Sequence, residues 1–536
     1  MSTAQEKVIN IPSSQTSSQK VRFVTAASLF DGHDAAINIM RRILQSSGAE
    51  VIHLGHNRSV AEIVDTAVQE DAHAIALSSY QGGHVEYLKY MVDMLKARQR
   101  PDIRIFAGGG GVIIPAEIRE LEAYGVTRIY SPEDGQKMGL QGLISDMLER
   151  CQYDPGANAP TTLEALAGHD TAALASLITA LENDRVDAQL LDQIRQSAAT
   201  RGIPVLGITG TGGSGKSSLT DEVIRRFRLD YGDRLRIAII AIDPTRQKTG
   251  GSLLGDRIRM NSIDHPGIYM RSIATRDSVG EIPEIVSDVV AACRLCEFDF
   301  IIVETPGIGQ GDAAIVPLVD LSLYVMTPEF GAQSQLEKID MLDFADIVAI
   351  NKFDRKGSED AYRDVCKQVQ RNRTAFAQNI EEMPVFGTIA SRFNDDGTSA
   401  LYQEIQAGLQ ALGLIPGDSR LPRVDTRKST AATVIVPSER VRYLAEIAAC
   451  LRDYHAHARQ QVTLARERQQ LLETRRMLGE QDSKTDIATL DNLIDAREQA
   501  LSGTSRKLLE QWPEIRQSYA GDEYVCIFVI VKYAPG

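Results

Sequence analysis

No stretch of this chain reaches the roughly 18 consecutive apolar residues that a membrane-spanning helix needs. Cysteine is scarce, with six in 536 residues, too few for a disulfide framework. Cys293 and Cys296 form a C-x-x-C, but in a helix-like segment with no second pair. They read as small core residues in a reducing compartment. Positive charge is in deficit: 58 Lys and Arg face 72 Asp and Glu, a net charge of −14 that disfavours non-specific nucleic-acid binding. Residues Met1–Lys20 lack an apolar core and are rich in Ser and Gln, which predicts a disordered tail rather than a secretion signal. These absences predict a cytoplasmic protein with no membrane and no nucleic-acid partner.

What is present is an alternation of short apolar runs and helical segments. Val21–Ala27, Glu50–Leu54, His73–Leu77, Ile103–Ala107 and Arg128–Tyr130 read as strands, with helices such as Ala35–Ser46 and Val60–Glu70 between them. The pattern predicts a five-stranded, flavodoxin-like parallel sheet over 21–150. Residues 151–200 are rich in Ala and Leu and read as a helical linker. Strands near 203–208, 235–241, 299–303, 321–326, 346–350 and 384–389 predict a second doubly wound α/β domain over 201–415. Residues 416–536 read as a boundary followed by a helical interaction region. Leu464, Leu471 and Leu478 recur there at seven-residue spacing, too few to establish a coiled coil. Val525–Val531 is strand-like.

The second domain opens on a complete phosphate loop. Gly210-Thr-Gly-Gly-Ser-Gly-Lys-Ser217 follows an apolar run and precedes a helix-like stretch from Ser218. Gly210, Gly213, Ser214 and Gly215 let backbone N–H groups turn toward a phosphate chain at a helix N-terminus. Lys216 can reach the β- and γ-phosphates, and the Ser217 hydroxyl can ligate Mg²⁺. Asn351-Lys352-Phe353-Asp354 follows another buried-strand run. By itself that tetrapeptide is common. After a phosphate loop it points to GTP, because the Asp354 carboxylate can accept from both N1–H and the exocyclic amine of guanine. Asp243, Asp256 and Glu304 follow strands and offer the hard oxygens that Mg²⁺ prefers. Gly307, three residues past Glu304, completes the form of a γ-phosphate-sensing switch.

In the first domain, Asp31-Gly32-His33-Asp34 lies where the first strand should end. Open parallel sheets bind ligands beyond the carboxyl ends of their strands. Asp31 can take the second N–H of a metal-bound His33. Ser78-Ser-Tyr-Gln-Gly-Gly-His84 and Gly108-Gly-Gly-Gly-Val112 follow the third and fourth strands on the same edge. This order of motifs resembles the cobalamin-binding domain of adenosylcobalamin-dependent acyl-CoA mutases. The resemblance implies that His33 is the lower axial cobalt ligand, supported by Asp31 and Gly32. It implies that the nucleotide tail of the cofactor inserts beside Ser78, Ser79, Gly108 and Gly109. Tyr80 stands where the family usually has Leu, and Ala36 where it has Gly.

The segment Asp243-Pro-Thr with Gly250-Gly-Ser-Leu-Leu-Gly-Asp256 resembles the G-protein metallochaperones that attend cobalamin mutases, a group related to nickel-insertion GTPases. That resemblance places Asp243 and Asp256 near the metal and Arg259 near the nucleotide. It implies a GTPase working through Lys216, Ser217 and Glu304, with the base-contact loop near Ile389-Ala-Ser391. A B12-binding domain followed by such a G domain resembles the amino-terminal half of fused acyl-CoA mutases acting on isobutyryl-CoA or n-butyryl-CoA. The implied partners are a mutase barrel, in cis or in trans, an adenosyltransferase supplying the cofactor, and a second copy in a homodimer. The last ~120 residues are too few for a (β/α)₈ barrel, which takes roughly 250. The expectation is therefore GTP hydrolysis that gates cofactor loading or protection, with no mutase turnover from this chain by itself. The alternatives are a B12- and GTP-responsive regulator or scaffold, a corrinoid methyl carrier and a nickel-type metallochaperone.

Overall fold

The computed structural model describes residues 20–166, 170–255, 257–276, 278, 280, 282–307, 312–331, 336–414, 417–430, 442–480 and 487–521. Asp256, the tail through residue 19 and the run Val525–Val531 lie outside them. The chain divides into two compact units, residues 1–433 and 434–536. Among the described residues, no helix is long and apolar enough to cross a membrane.

The first unit holds two parallel sheets. Strands β1 (Arg22–Ser28), β2 (Glu50–Arg58), β3 (Ala74–Ser78), β4 (Arg104–Gly108) and β5 (Arg128–Tyr130) are the five expected from the alternating pattern. They run in the order 5-4-3-1-2. The chain order reverses between β1 and β3, which opens a crevice at their carboxyl ends. Both faces are apolar. Val24, Ile52 and Ile75 pack on one side, and Phe23, Val51 and Phe106 on the other. Such two-sided burial explains why these strands read as continuous apolar runs rather than alternating ones.

The second sheet comprises β6 (Val205–Gly210), β7 (Ile237–Asp243), β9 (Ile268–Ala274), β10 (Phe300–Glu304), β11 (Leu321–Met326), β12 (Ile347–Asn351) and β13 (Val385–Thr388). Their order, 13-12-11-6-10-7-9, puts the switch point at β6. Strand β9 was not expected from the sequence. One further strand, β8 (Ser252–Leu254), comes from the G domain by sequence but pairs in the first sheet. It runs parallel to β2, with Glu50, Val51 and Ile52 opposite Ser252, Leu253 and Leu254. The cobalamin-type sheet therefore has six strands, the sixth lent by its neighbour.

Residues 151–200 are helical, at Thr171–Glu182 and Ala188–Ala199, as their composition predicts. They are more than a spacer. Leu174, Leu177, Ile178, Leu190 and Ile194 join the apolar core under the second sheet. Cys293 and Cys296 are buried in that same core, and burial pushes the Cys296 thiol up to about 12. The segment 417–430 folds back onto this lobe. Ser419 Oγ and the amides of Arg420 and Leu421 donate to the Asp230 carboxylate at 2.8, 2.5 and 2.7 Å.

Among its described residues the second unit is helical. Tyr443–Glu480 and Ile487–Ala500 pack together, with ion pairs Arg475–Asp491 at 2.8 Å and Arg497–Glu467 at 2.5 Å. Leu464, Leu471 and Leu478 are half-buried.

His73, just before β3, is buried and accepts from the Arg22 amide through Nδ1 at 3.1 Å. Burial pushes its pKa from 6.5 down to about 4; Asp71 and Glu50 pull it up, while Arg22 and Arg100 push it further down. The folded protein thus holds it neutral while the unfolded chain protonates it. Stability is lost as pH falls from about 6.5 toward 4, by about 2 kcal/mol at pH 5. Urea unfolding at pH 7 and pH 5 should show that loss, and His73→Gln should flatten the pH slope by a similar amount. Equal slopes in the two proteins would refute the assignment.

Candidate functional site: a phosphate loop and a histidine crevice

The phosphate loop leaves β6 and enters the helix Lys216–Tyr231. Its glycines answer to contacts. Gly210 has φ +144°, and a Cβ there would stand 1.9 Å from the Val325 carbonyl oxygen. Gly215 has φ +90°, and its Cβ would meet Asn351 Nδ2 at 2.5 Å. No L side chain satisfies both constraints. Buried Lys216 donates from Nζ to the Gly210 carbonyl at 2.9 Å. Ser217 Oγ donates to Glu304 Oε1 at 2.6 Å, and Thr220 Oγ1 donates to Glu304 Oε2 at 2.9 Å. The buried hydroxyls of Thr211 and Ser214 have no hydrogen-bond partner among the described residues. A loop that leaves donors unsatisfied is suited to an anion that would use them.

One cavity of about 270 Å³ gathers Gly213, Gly215, Lys216, Ser217, Ser218, Asp243, Arg259 and Glu304. Those are expected phosphate and metal residues; Gly210 and Ser214 are not in its lining, and Asp256 lies outside the described residues. Asn351 reaches the loop from the side: its Nδ2 donates to the Ser214 carbonyl at 2.8 Å, and its Oδ1 accepts from the Ala390 amide at 3.1 Å. Lys352 Nζ donates to the Gly213 carbonyl at 2.6 Å. The Ile389–Ser391 loop is thereby tied to the same corner. Asp354 is exposed and lines a neighbouring cavity of about 390 Å³ with Ile389 and Arg392. Thr220 escaped the sequence reading. It lies one helical turn beyond Lys216, on the face toward Glu304, and only the fold brings them together.

The second site lies at the β1/β3 switch point. Asp31 is buried, and His33 is 76% exposed at its side chain. Asp31 Oδ1 accepts from the His33 amide at 2.9 Å and lies 2.8 Å from His33 Nδ1; Oδ2 accepts from the Tyr80 amide at 2.6 Å. Burial pushes the Asp31 carboxyl up, but the Tyr80 and His33 hydrogen bonds outweigh it and hold the pKa below the usual carboxylate range. An ionised Asp31 fixes Nδ1 as the protonated nitrogen and leaves Nε2 as a donor to a metal. The His33 and Tyr80 rings stand 5.5 Å apart.

Behind this pair runs an apolar slot of about 340 Å³, lined by Ile37, Ser78, Tyr80, Phe106, Gly108 and Gly109 among others. Ser78 Oγ is buried without a partner among the described residues, and Ser28 Oγ donates to Ser79 Oγ at 2.9 Å. A Cβ on Gly109 would stand 2.1 Å from the Ser79 carbonyl oxygen, so only glycine lets the two loops close on each other. Gly32 has open space around it. A slot with apolar walls and an orphaned hydroxyl, with an imidazole against its lining residue Tyr80, fits a corrinoid whose nucleotide tail enters the sheet.

Together the two sites define a cobalamin-binding domain joined to a phosphate-loop nucleotide hydrolase. Comparison with known proteins bears this out. The B12 binding domain family matches residues 21–135, and the methylmalonyl-CoA mutase-associated GTPase family matches residues 174–483. The chain belongs to the methylmalonyl-CoA mutase-associated GTPase family and carries a B12-binding domain ahead of the GTPase. It is 62% identical over 506 residues to a fused isobutyryl-CoA mutase of Cupriavidus metallidurans, covering 94% of this chain and 46% of that protein. A fused isobutyryl-CoA mutase of Geobacillus kaustophilus is 52% identical over 515 residues, covering 94% and 47%. A putative GTPase of Pyrococcus horikoshii is 34% identical over 246 residues, covering 46% of this chain and 75% of that one. The chain spans about half the length of the mutases it matches.

Proposed function

We propose that this chain is the cofactor-holding and GTP-hydrolysing portion of a fused acyl-CoA mutase, acting on isobutyryl-CoA or n-butyryl-CoA, and that GTP hydrolysis gates loading or protection of adenosylcobalamin. The observation that carries it is the two-sided hold of Asp31 on His33 and on Tyr80, which lines the apolar slot. His33 Nε2 is the cobalt ligand in this reading. Ser78, Ser79, Gly108 and Gly109 receive the nucleotide tail, and the slot keeps water from it. Adenosylcobalamin would supply radical chemistry through its cobalt–carbon bond.

In the G site, water attacks the γ-phosphorus, the bond to the β–γ bridging oxygen breaks, and GDP and phosphate leave. The Lys216 ammonium and the loop amides stand where negative charge builds. Ser217, Asp243, Asp256 and Glu304 would hold Mg²⁺ to neutralise the phosphate oxygens. Asn351, Lys352 and Asp354 select guanine, and Arg259 meets the nucleotide. The isomerisation itself we assign to a mutase barrel, in cis or in trans, with an adenosyltransferase supplying the cofactor and the assembly built as a homodimer.

The test is an absorbance spectrum of the cobalamin-loaded chain against that of His33→Ala. Loss of imidazole coordination should change the bound spectrum. Identical spectra would remove His33 from the site and the reading with it.

A further inference from the structure

The nucleotide loop of the G domain is anchored in the cobalamin-binding lobe at three points. β8 pairs with β2. Ile258 packs on Gly55, where a Cβ would stand 2.8 Å from Ile258 Cδ1 and where φ is +83°. The third anchor is ionic. Arg257, buried, donates from Nε to Glu70 Oε1 at 3.0 Å and from Nη2 to Gln69 Oε1 at 3.0 Å. Glu70 is fully buried at the end of the helix Val60–Gln69, which belongs to the cobalamin lobe. It also accepts from the Ser272 amide and from Ser272 Oγ, both at 3.1 Å, on strand β9. A Cβ on Gly255 would stand 2.6 Å from that same Ser272 Oγ.

The placement of Arg257 in the chain gives this anchor its meaning. Gly255, two residues before it, donates its amide to Asp243. Arg259, two residues after it, lines the nucleotide cavity along with Met260 and Asp243. A single short turn, Arg257–Arg259, therefore points one arginine at Glu70 and places the next at the phosphate site. An isolated carboxylate this deep is costly unless paired, and a buried pair with one partner removed leaves an uncompensated charge. Arg22 Nη1 also stands 3.7 Å from Glu70 Oε2, so it is the buried Arg257 guanidinium that loses its counter-charge on leaving Glu70, and this holds the turn that carries Arg259.

We propose that Glu70, a residue of the cobalamin-binding lobe, is a positioning residue for GTP hydrolysis: through Arg257 it sets the turn that carries Arg259 against the nucleotide cavity. The proposal rests on the GTPase reading above and extends it, because it makes the G site incomplete without its neighbour. Glu70 does not line the nucleotide cavity. The phosphate loop and Asn351 do not depend on it, so nucleotide affinity stays while turnover falls.

The experiment uses the full chain. Glu70→Gln keeps the shape and acceptor of the side chain and removes its charge. It should lower kcat for GTP hydrolysis about tenfold, with KM for GTP and affinity for GDP within about threefold of the parent. The double variant Glu70→Gln/Arg257→Gln should lose no more kcat than the larger of the two single losses, because both changes act through one contact; additive losses would overturn the proposal. In the unaltered chain, hydrogen exchange at the amides of 69–71 and 252–255 should slow when a non-hydrolysable GTP analogue replaces GDP. A parent chain that does not hydrolyse GTP would sink the GTPase reading itself. A parent that hydrolyses GTP while Glu70→Gln matches its kcat would sink only the role of Glu70. If Glu70→Gln does not fold, unchanged exchange at both segments between the two nucleotides overturns the proposal.

Discussion

Replacing Lys216 with alanine should slow GTP hydrolysis by roughly 10²–10³-fold, the usual cost of removing one well-placed charge-stabilising donor. The ammonium is buried in the loop and rests on the Gly210 carbonyl, so it is already positioned before any nucleotide arrives. Gly307 leaves it room, since a Cβ there would stand 2.2 Å from Nζ. Alanine removes the charge and leaves the glycine turns intact, so the loop should still form. Cobalamin binding should remain within about twofold of the parent, because Lys216 belongs to the other sheet. The measurement is phosphate release under saturating GTP beside a cobalamin titration on the same preparation. Turnover within about tenfold of the parent would mean that Lys216 is structural.

Asp31→Ala should weaken cobalamin binding by roughly 10–100-fold, the cost typical of losing the group that orients a metal-bound imidazole. One carboxylate holds three things: the His33 amide, the His33 ring and the Tyr80 amide. Its loss frees the ring to rotate and lets the Tyr80 loop drift from the slot. His33 is itself still present, so the spectrum should show partial rather than absent imidazole coordination. Asp31→Asn should fall between the two, because an amide can still accept but carries no charge to favour the Nδ1–H form. Titration followed by absorbance separates these cases. Unchanged affinity in Asp31→Ala would show that the backbone alone fixes His33.

Much of this was legible in the chain. The phosphate loop, the five strands of the first sheet and the Asp31–His33 pair are local in sequence, with spacings set by a turn or a strand end. Glu304 could be placed at the phosphate-loop cavity because it ends an apolar run in the same way as Asp243. Thr220 and Glu70 could not be found this way. Each lies on or at the end of a helix, where a polar residue reads as solvent-facing, and each meets its partner far along the chain, Thr220 at 84 residues and Glu70 at 187. Strand β8 was hidden for a different reason. Gly-Gly-Ser-Leu-Leu-Gly is only three strand residues between glycines, with no alternation to detect, and its pairing partner lies in another domain. Gly251 is needed there because a Cβ would stand 2.0 Å from the Gln45 carbonyl oxygen. A sequence read one domain at a time sees only a flexible loop.

That borrowed strand bears on how the protein can be taken apart. Scission of the backbone at 159–163, ahead of the helix Thr171–Glu182, would cut the covalent tether and leave the ladder between residues 50–52 and 252–254 untouched, along with the Arg22–Glu182 and Arg276–Glu50 pairs that join the two sides. The two fragments would stay mated. Pulled apart by force or denaturant, the G-domain fragment would carry a raw edge whose vacant amides and carbonyls invite any passing strand.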